Sequence, residues 1–176
     1  MFTATRRLKI DAGHRVPSHG SKCKNLHGHE YKIFATAGIS TLVQSGEQEG
    51  MVMDFGFLKS AMMRHIDALC DHRFITYYRD EVISKAFFGS PNKLEELWEA
   101  RKTEFDSCEI KTEDEQWFYV VNFIPTAENL ARHWFQMLDK CIYDFGAHRE
   151  VKMISVQVFE TENCSAVYPS NLPIMR

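Results

Sequence analysis

The feature that most constrains the fold of this chain is a pair of histidines two residues apart at the start of an alternating apolar segment. His27 and His29 introduce the stretch 29–38, in which apolar side chains recur at every second position. Side chains two positions apart on a β-strand point to the same face of the sheet. We therefore predict a strand over 29–38 that carries both imidazoles at one end of its buried face.

An earlier segment, 3–16, has the same alternation and predicts a partner strand. His14 continues the parity of its apolar residues, and the loop 16–26 joins the two segments. Pairing as a hairpin would bring His14 beside His27 and His29. Three imidazoles leave the fourth position of a zinc ion open, which is the ligand count of a catalytic zinc rather than a structural one. The alternative is that these are core or surface histidines with no metal.

The remaining pattern predicts an α+β fold in the order strand, strand, helix, helix, strand, strand. The first helix begins at Asp54, and the second begins within 125–128 and stops at Gly146. Residues 151–161 alternate again, and 164–168 form a short last strand. The stretch between the helices, about 76–122, is interpreted as an insertion packed on the outside of the core of a single catalytic domain, 1–176.

Composition narrows the class of protein. With 176 residues and 44% hydrophobic content, the chain can bury one substantial core. The net charge of −3 gives no footprint for nucleic acid or an anionic membrane, and no segment is suited to span a bilayer. The five cysteines are odd in number and contain no CxxC, so we expect no disulfide framework and a cytoplasmic protein.

Three further residues could carry acid–base chemistry. Cys23 lies between two lysines, which favour a thiolate, although a lone cysteine can equally be an inert small side chain. Asp71 and His72 follow the end of the first predicted helix. They are either a carboxylate and the imidazole that it orients for proton transfer, or a solvated helix end where a cationic histidine is favourable.

Glu160 is the most informative carboxylate, because it continues the apolar face of 151–161 and should point inward. A buried glutamate needs a partner. That partner is either an arginine or backbone donor, or a ligand with two adjacent N–H groups, such as a pterin or guanine. Glu128, in contrast, is explained by the preference of acidic residues for the first turn of a helix.

Several motifs together resemble the family of 6-pyruvoyl- and 6-carboxy-tetrahydropterin synthases. The resemblance covers both ends and the middle of the chain, apart from about 76–122. The motifs that carry it, in order along the chain, are Ala12-Gly13-His14-Arg15, Cys23-x-x-x-His27-Gly28-His29, Asp71-His72, Pro125-Thr126-Ala127-Glu128 and Glu160-Thr161.

The resemblance implies a tunnelling fold, with a four-stranded antiparallel sheet and two helices on one face. It also implies a homo-oligomer, a hexamer or another assembly of trimeric barrels, with active sites at subunit interfaces. The roles that it implies are zinc ligation by His14, His27 and His29, catalysis by Cys23, Asp71 and His72, pterin anchoring by Glu160, and pocket contacts from Thr126 and Glu128.

The spacing within the second motif separates two types of member. Three residues stand between Cys23 and His27, and Leu26 precedes the histidine, as in the bacterial enzymes of queuosine biosynthesis. These form 6-carboxy-5,6,7,8-tetrahydropterin, acetaldehyde and triphosphate from 7,8-dihydroneopterin triphosphate. The alternatives are the pyruvoyl-forming reaction on that substrate and a non-catalytic pterin- or guanine-binding zinc protein. Gly13, where many relatives have alanine, and Phe74 within Arg73-Phe74-Ile75 depart from the family's pattern.

Overall fold

The hairpin predicted from the histidine spacing lies at the centre of the fold. In the computed structural model of the chain, which describes residues 1–169, β1 (Phe2–His14) pairs antiparallel with β2 (His27–Ile39) along its whole length. The register places His14 opposite His27 and Ala12 opposite His29. The last two predicted strands are also confirmed, because β6 (Lys152–Thr161) pairs with β2, and β7 (Cys164–Tyr168) pairs with β6.

On the other side of β1, three strands extend the sheet. β3 (Phe74–Tyr77) is parallel to β1, β5 (Trp117–Val121) is parallel to β3, and β4 (Ser107–Lys111) is antiparallel to β5. Within residues 1–169 the sheet therefore has seven strands in the order β4-β5-β3-β1-β2-β6-β7.

The prediction of a four-stranded antiparallel sheet is wrong in strand number and in strand direction, although the α+β class is confirmed. β3 has four residues and pairs with β1 at two positions, Gly13 with Phe74 and His14 with Ile75. So short a strand shows no periodicity of its own, and parallel pairing requires a connection that brings distant segments together. Strands of the segment 76–122 extend the sheet, so the expectation that this segment packs outside the core is also wrong.

In the described part of the chain, four helices accompany the sheet. α1 (Phe55–Met62) continues through a π-helical turn (Met63–Asp67) and a last α-helical turn (Ala68–Cys70), and it is followed by α2 (Glu81–Phe88), α3 (Lys93–Arg101) and α4 (Ala127–Cys141). The two predicted helices, α1 and α4, begin as expected, with side chains of Asp54 and Thr126 accepting hydrogen bonds from backbone N–H groups in the first turn. Within residues 1–169 no helix has the length and apolar character required to cross a membrane.

The helices lie on both faces of the sheet, and each pair of helices covers its own cluster of buried apolar residues. α1 and α4 cover the face of β1 and β2 that ends in the three histidines. α2 and α3 cover the opposite face of the added strands, where Phe118 and Val120 point to a second cluster while Tyr119 and Val121 join the first. The second cluster contains Ile83, Leu94, Trp98, Cys108, Ile110, Phe118 and Val120.

Candidate active site

The structure brings His14, His27 and His29 together at the end of the β1–β2 hairpin. The ring centroid of His14 lies 4.5 Å from that of His27 and 5.2 Å from that of His29, and His27 and His29 are 5.0 Å apart. One ring nitrogen from each residue lies within 4.8 Å of the others. The cause is local, since the strand period sets the side on which each imidazole stands and the hairpin register sets its neighbour.

Two backbone carbonyls orient these rings. Nδ1 of His14 donates to the carbonyl oxygen of Pro125 at 2.7 Å, and Nδ1 of His27 donates to that of Asn25 at 2.8 Å. A carbonyl can only accept, so Nδ1 carries a proton in both rings, and Nε2 is the nitrogen that holds the lone pair whenever the ring is neutral. Metal-binding histidines are commonly held in this way by a carbonyl on the other ring nitrogen.

The ring of His14 has the properties that a metal ligand requires. Nε2 is buried and has no hydrogen-bond partner among residues 1–169. Burial lowers the pKa of His14 to about 4, and burial also lowers the pKa of His29, so these two rings are neutral near pH 7. An unpaired buried nitrogen facing two more imidazoles fits a divalent metal such as zinc, which accepts neutral imidazole nitrogen.

Glu160, near the end of β6, lies against this cluster. Its Oε1 is 3.8 Å from Nε2 of His14, and within residues 1–169 it has no ion pair with Lys or Arg. Burial raises the pKa of the Glu160 carboxyl, the Glu128 carboxylate raises it further, and His27 opposes the shift. The arginine partner considered from sequence is therefore not found in the described part of the chain. A half-buried carboxylate remains, with its hydrogen-bonding capacity available to a ligand.

The motif 125–128 supports the cluster mainly through its backbone. The carbonyl of Pro125 orients His14, whereas the hydroxyl of Thr126 accepts from the N–H of Asn129 and caps α4. Glu128 is exposed in the first turn of α4, near enough to Glu160 to raise the pKa of its carboxyl. The role of Pro125 was not predicted, because a backbone carbonyl leaves no signal in residue type.

Tyr31 is a second residue whose part in the site was not predicted from the sequence, and its ring packs against the cluster. The ring of Tyr31 is buried and meets His14 and His29 edge to face, with centroids 5.8 Å and 5.6 Å apart. Its hydroxyl is buried without a hydrogen-bond partner among the described residues. Its parity with His27 and His29 along β2 was the available signal, and it placed Tyr31 on the same face.

Cys23 lies partly exposed in a short 3-10 turn, Lys22–Lys24, within the loop that joins β1 to β2. The N–H of Val16 donates to the carbonyl of Cys23 at 2.8 Å. Arg15 donates through Nε to the carbonyl of Lys24 at 2.8 Å and through Nη1 to Oδ1 of Asp80 at 2.6 Å. Arg15 thus connects Asp80 to the loop that carries Cys23, a link that the sequence pattern did not reveal.

Asp71 and His72 form a hydrogen-bonded pair beside β1. Oδ2 of Asp71 is 2.8 Å from Nδ1 of His72, while Oδ1 accepts from the N–H of Asp11 at 2.9 Å. The hydrogen bond that His72 donates to the Asp71 carboxylate raises the pKa of His72, so its protonated form persists to higher pH. His72 is exposed and has a left-handed φ of 55°, a conformation that non-glycine residues adopt rarely and often at functional sites.

Among residues 1–169 this pair makes no direct contact with the other predicted site residues, although His72 and His29 line one open cleft beside β1. Within residues 1–169, no hydrogen bond, ion pair or ring contact joins His72 to Cys23 or to the three histidines. The site therefore has two parts in each chain. One contains the histidines, Glu160 and the loop with Cys23, and the other contains Asp71 and His72.

Comparison with known proteins gives consistent results. A 6-carboxy-5,6,7,8-tetrahydropterin synthase of Rickettsia typhi is 31% identical over 165 residues, covering 93% of this chain and 97% of that protein. The enzyme of the same name from Aquifex aeolicus is 29% identical over 179 residues, covering 93% of this chain and 95% of that protein.

Solved structures share the fold. An uncharacterized protein from Wolinella succinogenes superposes with a TM-score of 0.71 at 24% identity, over 94% of this chain and 96% of that one. The 6-pyruvoyl tetrahydropterin synthase of Plasmodium vivax superposes with a TM-score of 0.55 at 19% identity, over 95% and 97%. The family model for 6-pyruvoyl tetrahydropterin synthase matches residues 3–171. The chain therefore belongs to the 6-pyruvoyl tetrahydropterin synthase family.

Proposed function

We propose that this protein converts 7,8-dihydroneopterin triphosphate and water to 6-carboxy-5,6,7,8-tetrahydropterin, acetaldehyde and triphosphate, in the biosynthesis of queuosine or a related 7-deazapurine. The observation that carries the proposal is the position of the Glu160 carboxylate, 3.8 Å from the unpaired Nε2 of His14 in the histidine cluster. A metal site and a ring-binding carboxylate side by side suit a pterin whose hydroxylated side chain reaches the metal. Relatives that are 31% and 29% identical and match 93% of this chain bear the carboxy-forming name.

Glu160 is proposed to hold the pterin ring. A pterin presents adjacent N–H groups on its pyrimidine edge, and a carboxylate can accept both in parallel. Its partial burial strengthens this contact, because water competes less for the carboxylate there. Thr126 is proposed to contribute to the pocket by capping α4, and Glu128 by its position in the first turn of the same helix.

His14, His27 and His29 are proposed to hold Zn²⁺, since three imidazoles with one open position match catalytic zinc sites. Bound zinc would act as a Lewis acid toward the hydroxyls of the substrate side chain. The part played by the chain is to select the tautomer of His14 and of His27 through the carbonyls of Pro125 and Asn25, so that the lone pair of each neutral ring lies on Nε2.

Cys23 and the Asp71–His72 pair are proposed to move protons on opposite faces of the side chain. Cys23 would accept a proton as thiolate, and His72, whose pKa Asp71 raises, would donate or accept one. Because one chain keeps these groups apart, we propose that His72 of a neighbouring copy completes each site. The active protein would then be a homo-oligomer built from barrels of three copies. Each chain would contribute one catalytic domain.

We place the reaction in the cytoplasm, because a catalytic thiol needs a reducing compartment. All five cysteines are free, and Cys23 is one of the two that are not buried. In an oxidising compartment the same thiol would be lost to disulfide formation.

Incubation of the metal-loaded protein with 7,8-dihydroneopterin triphosphate tests the proposal. We expect acetaldehyde, detected by coupled reduction, in equal amount to a product with the mass of the carboxy-pterin. A product that keeps its three-carbon side chain, with triphosphate but no acetaldehyde, would assign the pyruvoyl-forming reaction instead. Pterin binding without any turnover would assign a binding protein.

A further inference from the structure

We propose that Arg15 and Asp80 are positioning residues that hold the Cys23 loop in place beside the histidine cluster. Asp80 lies in the segment 76–122, so this segment would help to position a catalytic residue. This proposal rests on the proposed function and adds to it the residues that position the thiol of Cys23. It rests on contacts that exist whatever the product is.

The contacts form a chain from the helix α2 to the thiol loop. Asp80 is the N-cap of α2, and its Oδ1 accepts from the N–H groups of Val82 at 3.1 Å and Ile83 at 3.2 Å. The same oxygen accepts from Nη1 of Arg15 at 2.6 Å. Nε of Arg15 donates to the carbonyl of Lys24, the residue after Cys23, at 2.8 Å. One guanidinium thus links the start of α2 to the loop.

The geometry of arginine makes this link rigid. Its guanidinium is planar, so the directions of Nε and Nη1 are fixed relative to one another. Arg15 also directly follows His14 on the chain, so its backbone is held by the end of β1. The carbonyl of Cys23 accepts from Val16, and that of Lys24 accepts from Arg15. The two contacts hold two successive carbonyls of the turn, that of Cys23 and that of the residue after it.

Burial sets this ion pair apart from the exposed ion pairs of the chain. The side chain of Arg15 is 9% exposed and that of Asp80 is fully buried. Buried ion pairs contribute little net stability, because the cost of desolvation offsets much of the attraction. Loss of one partner is costly, and a charge held in this way fixes geometry. The exposed pair of Arg79 and Glu95, in the same segment, makes no contact of this kind with the thiol loop.

The test compares R15K and D80N with the control R79K, all in a C164S background so that Cys23 is the accessible thiol. Lysine keeps the charge beside Asp80 but has a single nitrogen, so it cannot also bind the carbonyl of Lys24. Asparagine keeps an oxygen for the N-cap and for Arg15 but removes the charge. R79K alters an exposed ion pair by the same chemical change.

The measurements are the alkylation rate of Cys23 by iodoacetamide, the zinc content, the thermal unfolding, and kcat and KM. We expect R15K to raise the alkylation rate at least about threefold, since the loop opens more often. We expect kcat to fall by about 10- to 100-fold with KM and zinc content nearly unchanged, since the thiol is misplaced. D80N should act in the same direction and more weakly, and R79K should match the parent.

Folded R15K and D80N with parental alkylation rates and kcat would overturn the proposal. A loss of kcat that follows only a loss of folded protein or of zinc would overturn it too, because that is the result of a merely structural pair. If R15K does not fold, D80N decides between these outcomes. Alkylation needs no substrate, so the inference stands or falls on it even if dihydroneopterin triphosphate is not turned over.

Discussion

The ring of Phe74 covers the backbone of Gly13. A Cβ placed on Gly13 would lie 2.6 Å from Cδ2 of that ring, closer than real Cβ atoms approach a neighbour. The two residues are partners in the parallel pairing of β1 with β3. The two departures from the family's pattern noted in the sequence, Gly13 and Phe74, are therefore one packing arrangement. It lies one residue from the candidate metal ligand His14 and two from His72.

Gly13→Ala should destabilise the protein by about 1–3 kcal/mol, because the ring or the strand must move to admit the methyl group. Phe74→Leu should lower the free energy of unfolding more in the parent than in the G13A background, since the smaller leucine side chain makes room for the added methyl group. A double-mutant cycle by urea unfolding measures this coupling. Gly20→Ala, where nothing lies within 4 Å of the new Cβ, is the matched control and should be neutral. Additive effects of the two substitutions would contradict the packing argument.

His14→Ala should lower the metal content from about one zinc per chain to a small fraction of that value, because one of three ligands is lost. Elemental analysis of metal-loaded, dialysed protein measures it. His148→Ala is the control, since His148 is an exposed histidine outside the cluster. Full metal content in His14→Ala, or none in the parent, would contradict the assignment of the site.

Cys23→Ala should keep the metal and the fold but reduce kcat by about 10²–10⁴-fold, the usual effect of removing an acid–base group. In the proposed site three imidazoles supply the ligands, so the thiol would be free for proton transfer. Steady-state assays and elemental analysis are run side by side, with Cys164→Ala as the control for an exposed thiol. A variant that loses its metal would show that Cys23 is a ligand.

Glu160→Gln should weaken the binding of a pterin ligand while leaving the fold intact. A hydrogen bond to a charged group contributes about 1.5–3 kcal/mol, so the Kd should rise roughly tenfold or more. Titration calorimetry with a pterin measures the change. Glu162→Gln, two residues away and 86% exposed, is the matched control. Equal affinity for parent and Glu160→Gln would remove Glu160 from the ring-binding role.

Asp71→Asn should shift the titration of His72 to lower pH. In the parent, the hydrogen bond and the negative charge of Asp71 raise the pKa of His72, so the imidazolium persists to higher pH. An amide removes that charge, so the limb of the pH–kcat profile that His72 controls should move to more acidic pH. NMR titration of the His72 ring checks the same shift directly. Asp114→Asn, an exposed acid in the segment 76–122, should leave it unchanged.

Local pattern was sufficient for the parts of the fold that depend on near neighbours in the chain. The period of two along β1 and β2 predicted both strands, their hairpin and the meeting of His14 with His27 and His29. The capping residues Asp54 and Thr126 predicted where α1 and α4 begin. In each case the signal comes from one buried face or one helix turn, and both are formed by residues that are close together in the chain.

The tertiary structure alone decided the contacts between residues that are far apart in the chain. Pro125 orients His14 from 111 residues away, and Asp80 meets Arg15 across 65 residues. The parallel pairing of β3 with β1, and the addition of β4 and β5, likewise join distant segments. Such contacts depend on how whole elements pack, and a carbonyl oxygen or a four-residue strand has no periodicity from which to infer its partner. Amino-acid order therefore determined which residues are the candidate ligands, and packing determined how their side chains are held.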